Sequence, residues 1–216
     1  MSEVGDSPAS VPFGHYRVDG RLVPSEYTAQ QAVRTLLRYI GEDPDREGLK
    51  ETPQRYLKAL SQYCSGVGRE DEARALLKTF GDGASGYDEM IVESSIPFYS
   101  HCEHHLAPFF GSVSVAYIPS GRIVGLSKIP RLIEIYSRRL QVQERLTVQI
   151  ADALMGDPSW PGLHPKGVGV IVEARHFCME CRGVQKPNVM TRTSALRGVF
   201  LSQPEVRSEF LALCGK

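Results

Sequence analysis

Thiol and imidazole side chains are concentrated in one short run of this sequence. The five consecutive positions from His101 to His105 hold three histidines and one cysteine, Cys102. Cysteine thiolate and neutral imidazole are the ligands that zinc prefers, and a catalytic zinc uses three protein ligands with a fourth position left open for water. Because this run cannot supply three ligands in comfortable geometry by itself, a ligand from elsewhere in the chain is needed.

A second cluster of thiols and imidazole extends from His176 to Cys181. We therefore predict a metal site that combines Cys102, one of the adjacent histidines, and either Cys178 or Cys181. Spacing alone leaves open which histidine and which cysteine bind. The alternative interpretation is that the histidines are ordinary polar residues and the cysteines are small buried hydrophobic residues. Two such tight clusters in one chain favour the metal site.

Composition limits the classes of protein to which the chain can belong. Its 216 residues, 42% of them apolar, suffice for one large domain, or for one domain with a smaller N-terminal addition. The 25 basic and 25 acidic residues cancel, which argues against broad electrostatic binding of nucleic acid or an anionic membrane. No stretch approaches the ~20 apolar residues of a membrane span, and the first residues do not resemble a signal peptide. Since three of the five cysteines lie in the two clusters, we expect no disulfide framework and a reducing, cytoplasmic location.

The order of patterns along the chain predicts three regions. Residues 1–24 are rich in Ser, Pro and Gly without helical or strand period, which predicts a mobile N-terminal arm. Residues 25–86 carry helical patterns and are predicted to form an N-terminal helical region, and residues 87–216 a domain that contains both clusters. The helix signals of the second region are a capping-box pattern at Thr28, the pair Thr52 and Pro53, and a weaker period over residues 69–80.

Residues 87–216 hold strand and helix patterns in separate blocks. Alternation of Val113, Val115 and Tyr117 with small residues predicts a strand, to which residues 123–125 return as the second arm of a hairpin. Two helices over 132–140 and 146–154, strands over 168–172 and 191–200, and a short helix capped by Ser202 complete the order. This separation predicts an α+β domain with an antiparallel sheet. Four strands with one helical layer would leave edges uncovered, so we expect identical subunits to associate.

Two polar segments add weaker signals. Ser127, Lys128 and Arg131 put a hydroxyl and two cations at a predicted helix start, which is a natural phosphate site, although exposed cations there are ordinarily just solvated. Glu144 offers the carboxylate that a planar guanidine-like edge, as in guanine, would need. Further positive charge would come from Arg182 and Arg55 if the fold brings them together.

Four segments together resemble GTP cyclohydrolase I, and the resemblance extends from about residue 28 to the C-terminus. They are Cys-Glu-His-His at 102–105, Gly-Leu-Ser-Lys-Ile at 125–129, Arg-Arg-Leu-Gln-Val-Gln-Glu-Arg-Leu-Thr at 138–147, and His-x-Cys-Met with Arg-Gly-Val-Gln-Lys at 176–186. The resemblance implies the tunnelling fold, with residues 87–216 as the catalytic domain, and a homodecamer of two pentamers with active sites at subunit interfaces. It also implies hydrolysis of GTP to formate and 7,8-dihydroneopterin triphosphate, the entry to folate or biopterin synthesis.

The resemblance also implies a role for each site residue. The zinc ligands would be Cys102, His105 and Cys178, and the acid/base pair would be His104 and His176. The residues implied in substrate binding are Ser127 near the ribose, Glu144 and Gln143 at the guanine edge, and Lys128, Arg131, Arg182 and Arg55 at the triphosphate. Cys181 and Pro187 fall where the family varies, so Cys181 is expected to be a bystander.

Three other hypotheses compete with this one. A pterin synthase or a nitrile reductase of the same fold would use an all-histidine metal site or a nucleophilic cysteine without metal, and neither fits Cys102, His105 and Cys178. A structural zinc module would add Cys181 as a fourth ligand and close the coordination sphere. An inactive homologue would act as a scaffold. Metal content together with GTP-dependent release of formate separates these hypotheses.

Overall fold

The computed structural model describes residues 15–18, 21–82, 84, 86–156 and 163–215. The chain divides into two compact units, Met1–Gln62 and Tyr63–Lys216. Most of the arm predicted over residues 1–24 lies outside the described residues. The domain boundaries after residues 24 and 86 remain predictions.

The first unit contains a small hairpin and two helices. Strands β1 (His15–Val18) and β2 (Arg21–Pro24) pair antiparallel, and helices α1 (Glu26–Tyr39) and α2 (Thr52–Tyr63) follow. The Ser25 side chain caps α1 by accepting a hydrogen bond from the backbone N–H of Thr28 at 3.3 Å. The predicted cap at Thr28 is therefore wrong by three residues, because the chain offers an equally good capping hydroxyl one turn earlier.

The second unit is built on a five-stranded sheet in the order β7-β4-β5-β8-β9. Its strands are β4 (Ile91–Cys102), β5 (Pro108–Ile118), β7 (Leu140–Gln141), β8 (Gly167–His176) and β9 (Thr191–Gly198). All neighbouring pairs are antiparallel except β4 with β7. The predicted α+β class with an antiparallel-rich sheet is confirmed.

Helices flank the sheet. They are α3 (Glu70–Ala75), α4 (Lys128–Ser137), α5 (Gln143–Met155), α6 (Phe177–Glu180), α7 (Val199–Ser202) and α8 (Pro204–Leu213). One apolar cluster joins α4 and α5 to the sheet through fully buried residues such as Leu132, Ile150 and Val170. On β8, Ile171 belongs to a second cluster with Phe200 and Phe210. Since β8 is covered on both faces, its buried residues 167–174 do not alternate between apolar and polar but are mostly apolar and rich in Val and Ile.

Four predicted details of the second unit are wrong. Residues Ile123–Val124 form β6, which pairs with β3 (Thr79–Phe80) instead of returning against β5. The helix expected over 69–80 is only the short α3. The last strand ends at Gly198, where a positive φ of 57° and a backbone oxygen 2.2 Å from any added Cβ require glycine. The last helix accordingly begins at Pro204, with Gln203 rather than Ser202 in the capping position.

The strand register gathers both metal-capable clusters at one edge of the sheet. Cys102 ends β4 and lies beside Gln141 of β7, which leads directly into α5. The first residues of β5 lie beside the end of β8, with Phe109 opposite His176. Because β4 and β8 both run antiparallel to β5, their ends and the start of β5 lie at the same edge.

Candidate active site

The connection between β4 and β5 is a tight, hydrogen-bonded turn. The backbone N–H of Cys102 donates to Ala107 O at 2.8 Å, and Leu106 N–H donates back to Cys102 O at 2.8 Å. Glu103 N–H donates to Gln141 O at 3.0 Å, which ties the turn to β7. The turn buries the Cys102 side chain and leaves those of His104 and His105 exposed.

Three of the predicted ligands converge. One ligand atom each from Cys102, His105 and Cys178 lies within 4.8 Å of the others, and Cys102 Sγ is 3.9 Å from His105 Nδ1. Zinc–ligand bonds of ~2.0–2.3 Å place neighbouring ligand atoms of a tetrahedral site roughly 3.3–3.8 Å apart, so the observed separations are within about 1 Å of that geometry. Two thiols and one solvent-exposed imidazole suit a zinc ion with an open fourth position.

The electrostatics of Cys178 are compatible with a bound cation at the same place. Burial, followed by the neighbouring Cys102 sulfur, raises the pKa of the Cys178 thiol, and the positive charge of Arg182 opposes that rise. Two adjacent thiolates repel each other, and a bound cation removes that penalty. The pair therefore suits metal binding better than it suits two free thiolates.

Cys181 is not a member of this convergent group. It follows the short helix α6, its side chain is exposed, and its thiol donates a hydrogen bond to Phe177 O at 3.0 Å. Among the described residues, the geometry thus groups Cys178, and not Cys181, with Cys102 and His105.

Two further histidines, His104 and His176, lie beside this group in different environments. His104 is exposed, with Nδ1 3.8 Å from Cys102 Sγ, and its ring lies perpendicular to that of His105 at 6.2 Å. His176 is half-buried and stacks on Phe109, with ring centroids 4.6 Å apart and an angle of 3° between the planes. Burial lowers the pKa of His176, and the nearby Glu144 carboxylate opposes that shift.

Gln143 lies behind His176, in the first turn of α5. Its Oε1 is 2.8 Å from His176 Nε2. Its amide nitrogen donates to Val172 O and Thr191 O, each at 3.0 Å, and lies 3.2 Å from Thr193 Oγ1. With 2% of its surface exposed, Gln143 is occupied within the protein, while its neighbour Glu144 is exposed.

Two ion pairs connect the segments that carry the candidate ligands to neighbouring elements, and neither pair was predicted from the sequence. Arg145 donates two hydrogen bonds to the carboxylate of Glu103, at 2.7 and 2.9 Å. Arg175 likewise donates two to Glu180, at 2.7 and 2.6 Å, and so connects β8 to the helix that carries Cys178. Partners 42 residues apart, as in the first pair, leave no periodic signal in a sequence.

The predicted phosphate-binding residues occupy three places. Ser127 and Lys128 lie at the N-terminus of α4, where the exposed Ser127 side chain makes no capping hydrogen bond. Arg131, one turn on, is exposed and lines a cavity of about 360 Å³ together with Arg69 and Arg138. Arg182 is exposed beyond α6. Arg55 belongs to the first unit, where its guanidinium pairs with Glu51.

Within the described part of the chain, no helix combines the length and apolar content needed to cross a membrane.

Comparison with known proteins gives consistent matches. The family described as GTP cyclohydrolase I matches residues 29–215. The chain is 51% identical over 180 residues to the GTP cyclohydrolase 1 of Janthinobacterium sp. (strain Marseille), covering 83% of this chain and 87% of that protein. It is 52% identical to that of Nitrosospira multiformis, covering 82% and 90%, and 55% identical to that of Synechococcus sp. (strain JA-3-3Ab), covering 84% and 76%. The apo archaeosine synthase QueF-Like overlaps 52% of this chain and 94% of its own, at a TM-score of 0.38 and 19% identity, too weak a likeness to support an argument.

Proposed function

This chain belongs to the GTP cyclohydrolase I family, and we propose that it hydrolyses GTP to formate and 7,8-dihydroneopterin triphosphate. The family supports a role as an enzyme that converts GTP in pterin biosynthesis. The observation that carries the more detailed proposal is the convergence of Cys102, His105 and Cys178, with two further imidazoles alongside. Three ligands with a solvent-exposed side are the arrangement of a catalytic rather than a structural zinc.

Zinc is the proposed cofactor, held by Cys102, His105 and Cys178. When bound, it would supply the Lewis acidity that activates water for hydrolysis at C8 of the guanine ring. The chain's own contribution is to hold two sulfur ligands and one imidazole in place through the β4–β5 turn and helix α6, which directly follows β8, and to leave one side open to the substrate.

His104 and His176 are the proposed acid/base pair. Neither belongs to the convergent ligand group, so both rings are available for proton transfer to the departing ring nitrogen of guanine. Imidazole is suited to this work because its ordinary pKa, ~6.5, lies close to physiological pH. The contrast between the exposed ring of His104 and the stacked ring of His176 supports separate acid and base roles.

The remaining substrate contacts follow from charge and position. Glu144 is proposed to accept hydrogen bonds from the guanine edge, and Ser127, whose hydroxyl is exposed without a capping bond, to lie near the ribose. Cations at and after the start of α4, where the helix dipole favours anions, would hold the triphosphate. They are Lys128 and Arg131. Arg182 and Arg55 are proposed to contact the triphosphate on their match to the family alone.

The tunnelling fold, a homodecamer of two pentamers and a cytoplasmic location complete the proposal. Support for the assembly comes from the sheet: within the described residues, β9 pairs only with β8, and β4 has a second neighbour only at His101 and Cys102. Open strand edges of this kind favour association with further copies of the chain. Light scattering measures the assembly, which should have about ten times the 23.9 kDa chain mass.

The experiment that tests the function combines metal analysis with product analysis. Purified protein should contain about one zinc per chain and release formate from GTP, with a pterin that fluoresces after oxidation. Protein that contains zinc but releases no formate would instead support the structural zinc module or an inactive scaffold.

A further inference from the structure

The orientation of the Gln143 side-chain amide is fixed by its surroundings. Its nitrogen lies 3.0 Å from two backbone carbonyl oxygens, those of Val172 and Thr191. Carbonyl oxygens only accept hydrogen bonds, so the end of the amide that faces them must be the NH2 group. The amide oxygen therefore faces the ring of His176, 2.8 Å from Nε2.

Two threonine hydroxyls complete the proton arrangement around this amide. Thr147 Oγ1 donates its one proton to the backbone oxygen of Gln143 at 2.7 Å. It must therefore accept from Thr193 across their 2.6 Å contact. Thr193, having donated to Thr147, faces the Gln143 nitrogen as an acceptor at 3.2 Å. In this set of side chains, neither hydroxyl proton competes with His176 for the amide oxygen.

The amide oxygen then determines where His176 carries its proton. An amide oxygen cannot donate, so the ring nitrogen that faces it must be protonated. We propose that Gln143 is a positioning residue that locks His176 in the Nε2–H tautomer and leaves Nδ1 as the nitrogen through which the ring exchanges protons with the substrate. The consequence for catalysis rests on the proposed function, whereas the tautomer itself does not.

Phe109 restricts the ring in the remaining direction. Its fully buried ring lies parallel to that of His176, with centroids 4.6 Å apart. Stacking fixes the plane of the imidazole, and the hydrogen bond to Gln143 fixes its rotation within that plane. Together the two contacts give Nδ1 one direction, as a group that transfers protons requires.

The same geometry separates positioning from direct contact with guanine. Gln143 is 2% exposed, and both of its N–H groups have protein acceptors. Turning them towards a ligand would leave the buried carbonyl of Val172 and the half-buried carbonyl of Thr191 without this donor, which is unfavourable. The exposed Glu144 is free of that constraint, so the guanine edge is assigned to it alone.

The tautomer can be measured in the full-length, zinc-loaded protein. Solid-state 15N NMR of histidine-labelled protein distinguishes protonated from unprotonated ring nitrogens, and comparison with His176→Ala protein assigns the signals. We expect hydrogen on Nε2 of His176. Hydrogen on Nδ1 with an unprotonated Nε2 would overturn the proposal, whatever the protein does with GTP.

The Gln143→Leu variant removes the acceptor while keeping much of the side-chain volume. We expect its His176 to lose the predominance of the Nε2–H tautomer. A catalytic imidazole in the wrong tautomer can lose about 10⁴-fold in kcat, so kcat for GTP should fall by about 10-fold or more with KM little changed. If Gln143 bound guanine instead, the variant would raise KM.

Thr193→Val is the matched control, because it removes one hydroxyl from the same network and leaves both carbonyls facing the amide. It should keep the Nε2–H tautomer. If Gln143→Leu also kept that tautomer, or raised KM at constant kcat, the positioning role would be wrong. Thermal denaturation shows whether each variant is folded. If Gln143→Leu does not fold, the 15N NMR spectrum of the wild-type protein still tests the tautomer of His176. Wild-type protein with the expected tautomer but no formate release would count against the proposed function and leave the tautomer lock standing.

Discussion

Glu103 and Arg145 form a two-point ion pair, with two nitrogens of the guanidinium 2.7 and 2.9 Å from the two carboxylate oxygens. Glu103 lies between Cys102 and His104 in the metal-site turn, and Arg145 lies in the first turn of α5 beside Glu144. Both side chains are partly exposed, and such pairs contribute little to stability. The pair therefore serves mainly to position groups. It connects the turn that carries two proposed ligands to the helix that carries Glu144, the carboxylate proposed to bind guanine.

Arg145→Gln should weaken zinc binding without unfolding the protein. Loss of a partner that orients a metal-site segment typically lowers metal affinity by about 10-fold to 100-fold. Chelator competition measures the affinity, and thermal denaturation should show little change. Arg197→Gln is the control, because it breaks a similar exposed pair, with Asp152, between β9 and α5. Equal zinc affinities in the two variants would show that the Glu103 pair does not position the turn.

Mutation of the two adjacent histidines should have different effects on zinc content and turnover. His104 and His105 are almost equally far from Cys102 Sγ, at 3.8 and 3.9 Å, but only His105 groups with Cys178. His104→Ala should keep its zinc and lose turnover by about 100-fold to 10,000-fold, as expected for a general acid or base. His105→Ala should lose the zinc itself. Metal analysis that gave the reverse result would exchange the two assignments.

Cys181 and Cys178 offer a second paired test. Cys-x-x-Cys is a familiar zinc-binding spacing, yet the thiol of Cys181 is exposed and bonded to Phe177 O. Cys181→Ala should therefore retain near-normal zinc and turnover, and Cys178→Ala should lose both. Loss of zinc from Cys181→Ala would restore the structural-site hypothesis, in which four protein ligands leave no position for water.

The sequence predicted the long elements and the metal clusters because each has a local signal. The helical period of α4 and α5, the β-branched run of β8 and the dense ligand motifs are all contained in short segments. The position of β6 was mispredicted because a turn at 119–121 indicates where the chain reverses but not which strand it joins. The actual partner, β3, has only two residues, too few for a period.

The role of Gln143 shows a different limit. Its partners, Val172, Thr191 and His176, lie 29 to 48 residues away, and two of them take part through the backbone. Every residue type supplies the same backbone carbonyl, so no sequence motif can reveal these two acceptors. The fold alone brings these acceptors to the amide.

Glu93 should make stability depend on pH. Its Oε1 is buried with no hydrogen-bond partner among the described residues, and burial raises the pKa of its carboxyl. The native state therefore holds this proton more tightly than the unfolded state, whose glutamate pKa is ~4.3, so the contribution of Glu93 to stability is present below that pH and is lost as pH rises through the folded pKa. Glu93→Gln should raise the melting temperature at pH 7, with a smaller gain near pH 4. A gain that did not depend on pH, or a loss, would contradict this explanation.

We propose that this site opens the guanine ring at C8 and releases that carbon as formate. The most direct measurement is to supply GTP labelled with 14C at C8 to zinc-loaded protein and to metal-stripped protein, and to follow the label. We expect the label to leave as formate only with the zinc-loaded protein, in equal amount to the pterin formed. Label that stays in the nucleotide, with about one zinc bound per chain, would contradict it.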